Sequence, residues 1–98
     1  MINLKNHNKI RISDYSGYEE GKSNNGGCYG FWETYTRTEN GFEVSHGTTA
    51  DFEFCKICGS FGGCSCTDDD YEIISETELI NRIEKAKKEE DCFVEYLD

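Results

Sequence analysis

The stretch FCKICGSFGGCSC, residues 54–66, holds four of the six cysteines in this chain. Thiolates packed this densely are soft metal ligands. Cys55-x-x-Cys58-Gly59 has the form of a zinc knuckle. Two residues between the thiolates let the chain turn around one ion. The glycine after the second thiolate permits a tight turn with backbone N–H groups aimed at sulfur. Cys64-Ser65-Cys66 follows after Gly59, Gly62 and Gly63 have made the connection able to fold back. The spacing predicts that Cys55, Cys58, Cys64 and Cys66 close a tetrahedron around a structural zinc ion, with Zn–S bonds of ~2.3 Å. An all-cysteine site leaves no coordination position for water. Its expected role is to fix a loop, residues 54–67, that has little apolar content of its own.

Other arrangements fit the same residues. Export would favour disulfides. An iron–sulfur cluster also takes four thiolates. His46 or Cys28 could stand in for Cys64 or Cys66. Outside the ligand set, Cys28 and Cys92 read as ordinary buried thiols.

Catalytic chemistry has thinner support. His7 and His46 are the acid–base candidates. His7 sits in a polar N-terminal stretch that is expected to fray. His46 alternates with Phe42 and Val44, which places it on the inner face or rim of a sheet as a partnered structural histidine. Glu33 beside Trp32 has the setting of a raised carboxyl group, but an exposed strand glutamate reads the same. Ser45 and Ser75 form no nucleophile elbow. The glycine-rich stretch SGYEEGKSNNGG, residues 16–27, lacks the spacing of a phosphate loop, and no helical pattern follows it. It reads as a plain loop. No group of residues meets the requirements of a reaction, so a non-enzyme is expected.

These residues need a frame. Ile10 and Ile12 alternate and predict a short strand. The run CYGFWETYTR, residues 28–37, is aromatic and β-branched, Asn40–Gly41 is a strong turn signal, and Phe42, Val44 and His46 alternate beyond it. A β-hairpin over residues 28–47 follows. Phe52 and Phe54 alternate with Asp51 and Glu53, predicting a strand that runs into Cys55. Tyr71 to Ile74 reads as one more. Ser75 with Glu78 predicts a capping box. Leu79, Ile80, Ile83 and Ala86 then recur at helical spacing, from about Glu76 to Glu90, with Glu78–Arg82 and Glu84–Lys88 as supporting pairs. Cys92 to Leu97 predicts a closing strand. The expected fold is α+β, a single domain over residues 1–98. It combines a small antiparallel β-sheet, one amphipathic helix near the C-terminus and a zinc-stabilised loop.

Charge narrows the partners. The formal net charge is −10, and it is lopsided: residues 1–50 carry six acids and five bases, residues 51–98 fourteen acids and five bases. Such a chain repels nucleic acid and membranes and favours basic protein surfaces. Lys85, Lys87 and Lys88 are interleaved with Glu84, Glu89 and Glu90 and read as a solvated helix face. Asp68, Asp69, Asp70, Glu72, Glu76 and Glu78 are dense enough to form one acidic strip around the helix start. The helix dipole also favours acids there. MINLKNHNKIRIS lacks the apolar run of a signal peptide, and nothing approaches the ~20 apolar residues of a membrane span. A soluble intracellular protein is expected.

In overall character the chain resembles the anti-CRISPR proteins, small inhibitors carried by phages and mobile elements. The likeness lies in 98 residues, a net charge of −10, a composition rich in lysine, asparagine, isoleucine and glutamate, and the cluster Cys55, Cys58, Cys64, Cys66. It is similar to the acidic inhibitors of type II systems. The resemblance is one of character rather than motif, so only the cysteines carry over, as metal ligands. It implies a cytoplasmic protein of a bacterial host cell that binds a type II CRISPR effector nuclease. The implied target is a basic DNA-handling surface such as the recognition lobe, and the implied effect is blocked target-DNA loading. On that reading the six carboxylates from Asp68 to Glu78 contact lysines and arginines. A zinc-stabilised regulatory or adaptor protein that binds another host protein, such as a polymerase subunit or restriction enzyme, is the other class that fits.

Overall fold

Alternating β-branched and aromatic residues become strands in the computed structural model, which describes residues 2–16, 29–50 and 53–98. β1 (Lys9–Asp14), β2 (Phe31–Thr38) and β3 (Gly41–Thr48) form an antiparallel meander. Short β4 (Glu72–Ile74) pairs with β3, and β5 (Cys92–Tyr96) pairs with β1, giving the order β4-β3-β2-β1-β5. The helix α1 (Glu76–Lys87) joins the two edge strands and packs against β3 and β5. The fold is α+β, with the helix near the C-terminus and the cysteine cluster in the loop before β4.

The register sets what the helix covers. Tyr35 lies opposite Ile10 on one side and Val44 on the other, and Phe42 lies opposite Ile74. Period-two alternation puts these side chains on one face. Leu79 and Ile83 close over them from the helix, and all are buried together with Leu4. Burying each such side chain stabilises the fold by roughly 1.5–3 kcal/mol.

The hairpin turn needs its glycine. Gly41 has φ +139, and a Cβ there would meet the Ile74 carbonyl oxygen at 2.3 Å. This close approach brings β4 alongside β3.

Four expectations change. The N-terminal stretch does not fray. Leu4 is 1% exposed, and the Arg37 guanidinium donates to the carbonyls of Leu4 and His7 at 2.5 and 3.1 Å. His7 stacks on Tyr96 with ring centroids 4.2 Å apart. Ile2 and Leu4 among asparagines are too few to carry a periodic signal, and Arg37 satisfies the irregular backbone from across the sheet. The hairpin begins at Phe31 rather than Cys28, which lies outside the described residues, as does most of the expected loop at 16–27. The expected strand through Phe52 and Phe54 is replaced by a single bridge between Phe54 and Phe61, with Phe52 outside the described residues. The helix stops at Lys87, short of Glu90. Lys88 and Glu89 N–H groups bond to the carbonyls of Lys85 and Ala86, both at 3.1 Å. These i→i−3 bonds tighten the last turn and swing the chain back to pair Cys92 with Asp14.

The helix start matches its signal in part. Ser75 Oγ accepts the Glu78 N–H at 3.1 Å. The Glu78 carboxylate does not close the box; it accepts from Arg82 Nε at 3.2 Å. No helix among the described residues is long and apolar enough to cross a membrane.

Candidate metal centre

The cysteine loop begins as a miniature hairpin closed by the Phe54–Phe61 bridge. The Cys55 N–H donates to the Ser60 carbonyl at 2.9 Å, and the Gly59 N–H to the Cys55 carbonyl at 2.8 Å. Gly59 and Gly62 hold φ of +76 and +81, a left-handed geometry that glycine adopts without strain. This folding draws the sulfurs of Cys55, Cys58, Cys64 and Cys66 to within 4.8 Å of one another. A tetrahedron with ~2.3 Å metal–sulfur bonds has sulfur–sulfur edges of about 3.8 Å. Small side-chain adjustments close that gap, so the four residues can hold one metal ion.

The backbone is arranged for thiolates. The Cys58 N–H, the Cys64 thiol and the Ile57 N–H all donate to the Cys55 sulfur and lower its pKa to about 6. The Ser60 hydroxyl and N–H lower that of Cys58. Cys64 is raised because its proton serves Cys55. Cys66 is pushed up to about 12, chiefly by its hydrogen bonds to Cys64 and Cys58. Cys55 only accepts, Cys66 only donates, and Cys58 and Cys64 do both, so a bound cation would take the place of the bridging protons.

That proton count predicts the pH response. The metal-bound site carries fewer protons than the free site, so acid favours release. The two raised thiols each lose a proton on binding near neutral pH. The metal affinity should therefore fall by at least about tenfold per pH unit on acidification. A competition titration against a chromophoric chelator at several pH values checks this. An affinity that does not move with pH would contradict a thiolate site.

Aromatic packing fixes the loop to the sheet. The Phe61 ring meets Tyr29, Phe31 and Phe54 at centroid distances of 5.3, 5.9 and 5.4 Å. The His46 N–H donates to the Lys56 carbonyl at 2.7 Å, and Ile57 is 8% exposed. His46 itself sits on the inner face, as its alternation implied. Its ring lies against Gly59, where a Cβ would come within 3.1 Å of Nδ1. It walls the loop and is not among the clustered ligand atoms. Cys28 lies outside the described residues. Cys92 is half-buried on edge strand β5, opposite Asp14.

The acidic strip divides into two groups. Asp68, Asp69 and Asp70 form a 3-10 turn directly after the loop. The Asp70 carboxylate accepts the Thr67 N–H at 2.8 Å. Glu76 lies 3.5 Å from Arg37, while Glu72 and Glu78 lie 3.7 and 3.2 Å from Arg82. Four of the six predicted carboxylates therefore serve the fold. Among the described residues, none forms a salt bridge or side-chain hydrogen bond with Asp68 or Asp69.

One cluster had only half a signal in the sequence. Arg82 donates to the Tyr35 hydroxyl at 3.3 Å and lies 3.7 Å from Glu33. Burial, with a smaller contribution from Glu33, raises the Tyr35 pKa to about 12. The hydroxyl thus stays neutral and links the two. His46 Nδ1 lies 3.9 Å from the same Glu33 carboxylate. The Glu78–Arg82 spacing was visible along the helix, but the cross-strand partners were not.

No family model, curated protein or solved structure matches this chain. Its function rests on the chemistry of its own surface.

Proposed function

We propose that the four-cysteine centre holds a structural zinc ion and that the protein is a stoichiometric inhibitor. It binds a type II CRISPR effector nuclease and blocks target-DNA loading, acting by occupancy rather than turnover. Zinc is supported by the all-sulfur donor set and by N–H groups aimed at two of the sulfurs. A multi-iron cluster spreads its thiolates farther apart than a single ion does, and separations within 4.8 Å favour the single ion.

The observation that carries the inhibitor reading is the pair Asp68–Asp69 beside that centre, which has no side-chain partner among the described residues. Four thiolates around one Zn²⁺ leave a local charge of −2, which takes the whole chain from its formal −10 to about −12. DNA presents one charge per ~1.7 Å of axis, and a basic DNA channel accepts a comparably dense acidic surface. Asp70, Glu72, Glu76 and Glu78 add to this field while holding the fold.

The test is target-DNA binding by a guide-loaded type II nuclease, titrated with the zinc-loaded protein. Loss of DNA binding near one equivalent is expected. The double variant Asp68→Lys/Asp69→Lys should inhibit roughly 10- to 100-fold less well with an unchanged circular dichroism spectrum. The inhibition should also weaken steeply with salt. No effect of the wild-type protein at excess, across several such nucleases, would move the reading to an adaptor for another host protein.

A further inference from the structure

The inner face of the sheet is only partly covered. Leu79, Ile83 and Ala86 seat the helix over the core, but α1 ends at Lys87 and the chain leaves at once for β5. Beside its last turn lies an open groove of about 870 Å³. Ile12 and Tyr35 from the sheet and Ala86 from the helix give it an apolar strip, with Phe31 at the mouth, 38% exposed, while Glu33, Glu72 and Arg82 line it farther along. A groove of this volume accommodates a few side chains of a ligand.

The rim is predominantly acidic. Asp14 stands at the end of β1, and Glu89, Glu90 and Asp91 follow the helix directly. Among the described residues, none forms a salt bridge to Glu89, Glu90 or Asp91. These acids sit at the negative end of the helix dipole, where the fold gains nothing from them and a cation would be favoured. The Cys92 thiol between them is raised, first by burial and then by the charges of Asp14, Glu89 and Asp91. Arg82 does not relieve this rim, because it is held by Glu78, Glu33 and Glu72. Lys85 is the other cation along the groove.

We infer that this groove is a second docking surface, separate from Asp68–Asp69, for a partner-protein segment that presents arginine beside an aliphatic side chain. The arginine stem lies along Ile12 and Ala86, its guanidinium meets the carboxylates of Glu89, Glu90 and Asp91, and the aliphatic neighbour packs on Phe31. Arginine fits better than lysine because its planar head both forks to carboxylates and stacks on aromatic rings.

The probe is a short fluorescein-labelled peptide alternating arginine and leucine, added to the zinc-loaded full chain. Anisotropy should show saturable binding, and amide chemical shifts should move at Ile12, Phe31, Ala86 and Glu89. Glu90→Lys/Asp91→Lys, at exposed positions outside the core, should weaken binding roughly tenfold or more. Asp68→Lys/Asp69→Lys should leave it unchanged, which separates this surface from the inhibitory one. Three results would overturn the inference: shifts confined to Asp68–Asp70, equal binding of a serine–leucine peptide, or no saturable binding. Failure here leaves the nuclease titration untouched, and the reverse also holds.

Discussion

Removing the metal should unfold the cysteine loop and leave the sheet and helix standing. Ordering the twelve residues from Cys55 to Cys66 costs about 1–2 kcal/mol each in backbone entropy. A structural zinc site returns roughly 10–16 kcal/mol, and the Phe61 cluster adds a smaller share. On the proposed zinc site the metal offsets much of that cost, so its removal is expected to release the loop. The core is assembled elsewhere, from Leu4, Ile10, Tyr35, Phe42, Val44, Ile74, Leu79 and Ile83. Chelation should therefore abolish hydrogen-exchange protection at Cys55, Gly59 and Gly62, whose N–H or carbonyl groups close the knuckle. Protection at Ile10 and Val44 should persist. Cys55→Ser/Cys58→Ser should give the same pattern without a chelator. Loss of protection throughout the sheet would mean that the metal holds the whole fold.

Replacing Arg82 with alanine should be the most damaging single substitution among the described charged residues. Its guanidinium lies within 4.0 Å of three carboxylates, Glu33, Glu72 and Glu78, and donates to the buried Tyr35 hydroxyl. It is 30% exposed, so solvent screens it only in part. Without it the three carboxylates face one another across the helix–sheet seam, and a buried hydroxyl loses its donor. The expected cost is about 2–3 kcal/mol. For a domain of this size that lowers the melting temperature by about 10–20 °C. Arg82→Lys should recover less than half, because one ammonium cannot reach all four partners. A melting temperature within a few degrees of wild type would show that the cluster is a surface arrangement without energetic weight.

The sequence made some of this legible and hid the rest for physical reasons. Asn40–Gly41 marked the hairpin because the turn needs a positive φ, and Gly41 supplies it. Ser75 marked the helix start because its hydroxyl caps the Glu78 N–H. The four cysteines marked themselves by spacing. What periodicity could not reveal were contacts made across the chain. Ile2 and Leu4 are two apolar residues in a polar run too short to show a period, and Arg37 and Tyr96, on strands distant in sequence, fix their surroundings. Phe54 looked like a strand residue because alternation is the same whether the partner is a long strand or the single residue Phe61. The acidic strip looked uniform because sequence does not show that Arg37 and Arg82 occupy Glu72, Glu76 and Glu78, while Asp68 and Asp69 have no side-chain partner among the described residues.

The central claim is a closed, sulfur-only zinc centre that holds the loop and presents Asp68 and Asp69. X-ray absorption at the zinc edge, on protein purified with its metal, tests it most directly. One zinc per chain with four sulfur neighbours at ~2.3 Å and no lighter ligand is expected. A nitrogen or oxygen ligand in the first shell would bring His46 or water into the site and reopen a catalytic role. Iron in place of zinc, with short metal–metal distances, would contradict the single-ion site outright.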